Sequence, residues 1–251
     1  MQEKEQFSFG TKFHGLHSSS DSPVILYAFG EAGRGAGAWN FLLKRWSGIV
    51  DIRIARLPGR ESRYDEELLT TVGAQIADLS PALSAFVNSD SRPFILLGIC
   101  AGAINAFEMA RVLNHPIARS PQLLVVIDQL APMDLAGNID PIHDFDEFQF
   151  KNWCEDNLAD RAELRDEEVF RFFEPVLRAD FSAMSSYSFD KEPMLDCPLL
   201  MVSANNADSM QKSNWESVTT GEFRSTQLPS PVTIETMDNV VKMALSWVME
   251  S

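Results

Sequence analysis

Paired cysteine is missing from this chain. Its 251 residues hold three cysteines, Cys100, Cys154 and Cys197, with no CxxC spacing. Neither a disulfide framework nor a zinc site is supported, so no metal is expected and a reducing cytoplasm is the expected setting. An excess of positive charge is missing too: Lys and Arg number 21 against 36 Asp and Glu, a formal net charge of −15. Binding a phosphate backbone needs a basic stripe, so nucleic acid is excluded as a partner, and an anionic membrane surface with it. No apolar run approaches the ~18–20 residues that span a bilayer. The polar opening MQEKEQFSFGTKFH has no signal-peptide core. Histidine is scarce: His14, His17, His115 and His143, with none after the last.

What is present is core. Hydrophobic residues make up 45% of the chain, enough for one large domain spanning 1–251. Strands and helices alternate. PVILYAF (Pro23–Phe29), DIRIARL (Asp51–Leu57), FILLGI (Phe94–Ile99), QLLVVID (Gln122–Asp128) and PLLMVSA (Pro198–Ala204) read as buried strands, and EFRSTQL (Glu222–Leu228) as a sixth. Helical patterns fall over Leu68–Val87, with Pro81 expected to kink or divide the first of them, over Ala101–Leu113, and from about Thr236 to Met249. Continuous apolar strands separated by helices imply an α/β fold, a mostly parallel sheet covered on both faces. The acidic, Phe-rich stretch of about 134–191, with helices expected over Asp144–Leu158 and Asp166–Leu177, interrupts the alternation. It reads as a lid over the carboxyl ends of the strands, where open α/β sheets place ligands. Its phenylalanines (Phe145, Phe148, Phe150, Phe170, Phe172 and Phe173) suit either an apolar pocket or, at helical spacing, packing onto the core. The loop GEAGRGAG (Gly30–Gly37) lacks the Lys-Ser/Thr ending of a phosphate loop.

The chemistry concentrates at Gly98-Ile99-Cys100-Ala101-Gly102, where the third clear strand turns into a helix. A turn this sharp demands small neighbours, and glycines stand two residues either side of Cys100. Such an elbow lifts the sulfur to the sheet edge and aims the Ala101 amide and the helix N-terminus at it, which is expected to favour thiolate and to stabilise a developing oxyanion. A second oxyanion donor is expected from the loop after the first strand, near Glu31 or Ala32. A lone Cys after a buried strand is often only a small core residue; the strand-to-helix position within an alternating chain favours the nucleophile.

From about Pro23 on, the chain resembles the stand-alone type II thioesterases that accompany non-ribosomal peptide and polyketide synthases. The resemblance is carried by YAFGEAGRGAGAWNFL, with Gly30 in place of a usual proline, by LPGRES (Leu57–Ser62), by LLGICAGA in the place of a Gly-x-Ser-x-Gly, by PVLRADFSAMSSYSF (Pro175–Phe189), and by Trp215. It implies an α/β-hydrolase fold, antibiotic-type biosynthesis, and acyl thioesters presented on the phosphopantetheine arm of an acyl or peptidyl carrier protein. It implies no cofactor of the chain's own, and a monomer.

Two positions depart from the family. Cys100 stands where it has serine. The stretch that supplies its catalytic histidine is here LPSPVTIE (Leu228–Glu235), with Pro231 in or beside the histidine slot. His143, in the expected lid, is the one histidine considered able to swing over the site; His14, His17 and His115 read as surface or capping residues. The acid falls to Asp128, ending a buried strand, or to Asp208, in a turn after the fifth strand, with Asp128 favoured. Free thiols have a pKa of about 8.5, so Cys is the nucleophile best able to do without a base. Acyl transfer from one thiol to another is close to thermoneutral, whereas hydrolysis without a general base forfeits ~10²–10⁴-fold. An acyl-Cys100 intermediate passed on by transfer or ring closure is therefore expected over hydrolysis. A same-fold enzyme without an acyl-enzyme, and a silent carrier-protein-binding relative, stay open beside it. Carrier docking is expected to use the basic residues of the first quarter (Arg34, Lys44, Arg45, Arg53, Arg56, Arg60 and Arg63), with Arg60 foremost.

Overall fold

The computed structural model describes residues 7–16, 22–114, 119–135, 138, 142–158, 161–203, 214–228 and 234–250. Eight strands form one sheet: β1 (Phe7–Phe9), β2 (Phe13–Leu16), β3 (Ile25–Phe29), β4 (Asp51–Ala55), β5 (Phe94–Ile99), β6 (Leu123–Ile127), β7 (Leu199–Ser203) and β8 (Phe223–Gln227). Their order is β1-β2-β4-β3-β5-β6-β7-β8. β1, β2 and β4 pair antiparallel, and every pairing from β4 to β8 is parallel. The six expected strands form with slightly trimmed ends. The hairpin β1–β2 went unread, because its strands are only three and four residues long.

Because side chains alternate along a strand, each central strand feeds two cores. Tyr27, Phe29, Leu96 and Val126 pack on one face beneath α2 (Val72–Ser89) and α3 (Ala101–Leu113). Leu26, Leu97, Val125 and Val202 pack on the other, beneath α1 (Asn40–Arg45) and α6 (Ile234–Glu250). Pro81 does not divide α2. It lies on the exposed side, as does Ala77, whose carbonyl would have received the missing N–H, so that gap in the helix ladder faces solvent rather than the core.

Between β6 and β7 the chain inserts α4 (Glu147–Asn157) and α5 (Glu167–Ser185). α4 starts on an Asp146–Gln149 capping box. α5 runs eight residues past the expected end at Leu177, because Ala179, Asp180, Phe181, Ala183 and Met184 continue its buried stripe. The insertion's phenylalanines divide: Phe150 and Phe170 are wholly buried, Phe145 and Phe173 partly so, while Phe148 and Phe172 are 73% and 60% exposed. Among the described residues, no helix is long and apolar enough to cross a membrane.

Candidate active site

Cys100 sits between the last residue of β5 and the first of α3 with φ 52° and ψ −128°. A non-glycine residue held at such a φ carries strain of about 1–3 kcal/mol, so its surroundings must enforce it. They do so by close approach. A Cβ on Gly98 would stand 2.2 Å from the Gly102 carbonyl oxygen, and a Cβ on Gly102 would stand 2.2 Å from the Phe29 carbonyl oxygen. The backbone is pinned on both sides: the Cys100 N–H donates to Ile127 O at 2.9 Å, and Cys100 O accepts from the Ala103 N–H at 2.8 Å. Next door, Asp128 directly follows β6 in the same left-handed region, φ 52°, its N–H donating to Val202 O at 2.9 Å and the residue exposed. Both positions lie at the carboxyl edge of adjacent strands.

The backbone N–H groups of Ala101 and Ala32 both point at the Cys100 sulfur, and the carboxylates of Glu31 and Asp128 act on it by charge. Glu31, expected as an alternative amide donor, contributes its negative charge. These surroundings correct the expectation of a partly ionised sulfur. Cys100 as a whole is half-buried, but protein atoms crowd the sulfur. Burial pushes its pKa up to about 11, Glu31 and Asp128 push the same way, and the two amides only partly oppose them. At pH 7 the sulfur is therefore held as the thiol rather than the thiolate. Burial likewise pushes Cys154 and Cys197, both buried, up to about 12.

Of the four histidines, only His14 has its side chain described. It lies on β2, three strands from β5 and so roughly 14 Å across the sheet. It is not the surface residue expected: it is buried, with Arg56 donating to Nδ1 at 2.9 Å and Nε2 meeting Asn40 Oδ1 at 3.0 Å. The backbone of His143 lies in a 3₁₀ turn, Ile142–Asp144, and its side chain falls outside the described residues. His17, His115, Asp208 and Pro231 also lie outside them. Among the described residues, no group of three or more His, Cys, Asp or Glu stands ready to hold a metal ion.

Of the seven basic residues named in the first quarter, Lys44 and Arg45 stay exposed and Arg34 is half-buried, while the other four turn inward. Arg53 is buried against Asp51, Arg56 against Glu61, and Arg63 against Asp78 and Glu66. Arg60, expected at a carrier-docking surface, is only 10% exposed in its side chain and grips Asp180 of α5 through both guanidinium ends, at 2.8 and 2.9 Å. Asp180 in turn accepts the Gly33 N–H at 2.7 Å. Sequence reading missed Asp180; its signal was the run Leu-Arg-Ala-Asp, a charge set in an apolar helical stripe. Beside this junction an apolar cleft of about 630 Å³ opens between the loop after β4 and α5, lined by Tyr64, Leu68, Phe172, Phe173, Pro175 and Val176. Tyr64 and Phe172 stack at its edge, ring centres 6.2 Å apart.

A family model described as the thioesterase domain matches residues 24–244. The chain is 28% identical over 188 residues to linear gramicidin dehydrogenase LgrE of Brevibacillus parabrevis, covering 73% of this chain and 70% of that one. It is 26% identical over 221 residues to the gramicidin S biosynthesis protein GrsT of Aneurinibacillus migulanus, covering 86% and 85%. Among solved structures, the type II thioesterase BorB from the borrelidin biosynthetic cluster matches with a TM-score of 0.83 at 22% identity, over 94% of this chain and 97% of that one. RedJ, a thioesterase from the prodiginine pathway of Streptomyces coelicolor, matches with a TM-score of 0.79 at 26% identity, over 90% and 91%.

Proposed function

The chain belongs to the thioesterase domain family, and on that premise we propose that it takes acyl groups from carrier-protein thioesters of non-ribosomal peptide or polyketide biosynthesis onto Cys100. It then passes them to an acceptor other than water. The observation that carries this reading is the Cys100 sulfur on its strained turn with the Ala101 and Ala32 amides aimed at it. Relatives named for gramicidin S and prodiginine biosynthesis support the setting.

In the step itself, the sulfur attacks the thioester carbonyl and a new S–C bond forms. The carbonyl oxygen becomes an oxyanion facing the two amides, and collapse breaks the bond to the pantetheine sulfur. Overall one proton moves from Cys100 to the departing thiol, and one thioester replaces another. The high thiol pKa slows this step without stopping it. Relative to a free thiol it removes roughly 300-fold of thiolate at pH 7. A Brønsted slope of ~0.4–0.5 returns about tenfold or slightly more through greater nucleophilicity, leaving a net handicap of about twentyfold to thirtyfold. Hydrolysis of the acyl-enzyme suffers more. Water must lose a proton as it attacks, and the described residues bring no imidazole to the sulfur, a loss of ~10²–10⁴-fold. An amine, a thiol or a substrate carbanion has less need of that help.

The test is intact mass after exposure to an acyl-pantetheine thioester. An acyl adduct is expected on the native protein and none on Cys100→Ala, and the adduct should disappear faster with an added amine or thiol than in buffer alone. A second reading rests on the same sulfur: a thiol with a pKa of about 11 and no imidazole beside it among the described residues suits a protein that holds carrier proteins without turnover. Carrier binding with neither adduct nor turnover would establish that reading and end the first.

A further inference from the structure

Two motifs flagged in the sequence, LPGRES and the Leu-Arg-Ala-Asp of Leu177–Asp180, take no part in the chemistry above, yet they meet. Asp180 accepts the Gly33 N–H at 2.7 Å, and Arg60 binds both its oxygens at 2.8 and 2.9 Å. The same Arg60 reaches the Arg34 carbonyl at 3.3 Å. One residue on, Glu61, itself held at φ 51°, accepts the Gly37 N–H at 2.7 Å. The loop after β3 is thus fastened at residues 33, 34 and 37.

It is also tightly enclosed. Gly33, at φ 70°, has no room for a side chain: a Cβ would stand 2.2 Å from the Leu177 methyl, one turn before Asp180. A Cβ on Gly35 would stand 2.4 Å from Glu61 Oε1. Ala32, whose N–H points at the Cys100 sulfur, is the residue immediately before the Asp180 contact. Asp180 and Arg60 are both largely buried, so their bonds are charge-assisted and little weakened by water.

We propose that Asp180 is a positioning residue: seated by Arg60, it holds the Gly33 amide so that the neighbouring Ala32 N–H faces the oxygen of the reacting carbonyl. The oxyanion loop then takes its working shape only when α5 is docked on it, so the position of the insertion and the ability to acylate Cys100 are coupled. The inference rests on the acyl-Cys100 reading for its catalytic consequence, but the clasp itself is testable without it.

The experiment compares Asp180→Asn with the native chain in two reactions of the same sulfur. Acylation by an acyl-pantetheine thioester passes through an oxyanion; alkylation by iodoacetamide does not. Misplacing one donor should lower the ratio of acylation to alkylation by ~10–10²-fold, and Arg60→Gln should lower it in the same direction. Amide hydrogen exchange over residues 30–35 should quicken in both variants while that of α3 stays unchanged. An unchanged ratio, or the two reactions falling together, would mark Asp180 as merely structural and overturn the proposal. Should the native chain form no adduct, the acyl-Cys100 reading falls, and unchanged exchange over 30–35 would then bring down the clasp as well.

Discussion

Gly102, in the first turn of α3, rests on the carbonyl of Phe29, the last residue of β3, so closely that a Cβ would stand 2.2 Å from that oxygen. Both partners are backbone, so neither yields as a flexible side chain would. Gly102→Ala is expected to cost about 1–3 kcal/mol as an overpacked site, read from urea unfolding. Because it forces α3 away from β3, it should also lower the rate at which Cys100 is acylated. A variant within about 0.5 kcal/mol of the native chain would contradict the packing described.

The protonated sulfur makes a pH prediction. Iodoacetamide reacts with thiolate, and the Cys100 pKa lies near 11 because burial outweighs the two amides. Its alkylation rate should climb about tenfold per pH unit from pH 7 towards pH 10. A plateau already reached by pH 8 would show a sulfur ionised by some stronger influence. The sign for stability follows: a thiol pKa raised on folding stabilises the folded chain below the unfolded value, and that contribution is lost as pH rises through the folded one.

Cys100→Ser restores the residue type of a Gly-x-Ser-x-Gly elbow but leaves it without an imidazole among the described residues. A hydroxyl is activated by an adjacent base far more than a thiol needs to be. Acylation by a pantetheine thioester, followed by intact mass under single-turnover conditions, should fall by at least ~10²-fold. Serine acylating as fast as cysteine would reveal a base at the site and remove the argument against hydrolysis.

Arg63 is the most enclosed basic residue of the first quarter, 2% exposed. It donates to Asp78 at 2.7 and 2.9 Å, to Glu66, and to the Arg56 carbonyl at 2.7 Å. Arg63→Met leaves Asp78 with Lys12 alone and should cost about 3–5 kcal/mol in urea unfolding. Burial raises the Asp78 carboxyl, but the bonds from Arg63 and Lys12 outweigh it and hold the pKa below the ordinary value. A lowered carboxylate stabilises the fold above its unfolded pKa and ceases to as pH falls through the folded one. The native chain should therefore lose this contribution on acidification, and the Met variant should show a shallower acid dependence. Equal acid dependence in the two would argue against the pairing.

The strand-to-helix turn that carries Cys100 was legible early because its signals are local. A central parallel strand buried on both faces reads as an unbroken apolar run, which is why Phe94–Ile99 and Ala101–Leu113 end where expected. Gly98 and Gly102 are dictated by one tight turn, within five residues of chain. Short elements gave weaker signals: β1 and β2 are too brief to show a period. The expected end of α5 at Leu177 fell short of a buried stripe that continues to Met184.

By itself, then, the sequence determined the alternation of strand and helix, the elbow and the sulfur upon it, since each depends on neighbours a few residues away. Only the tertiary structure decided the state of that sulfur and the work of the arginines. Desolvation depends on every atom that packs around a group, and Arg60 finds Asp180 across 120 residues of chain. A pattern of residue types states which charges exist; folding decides which of them water is kept from, and so which must pair.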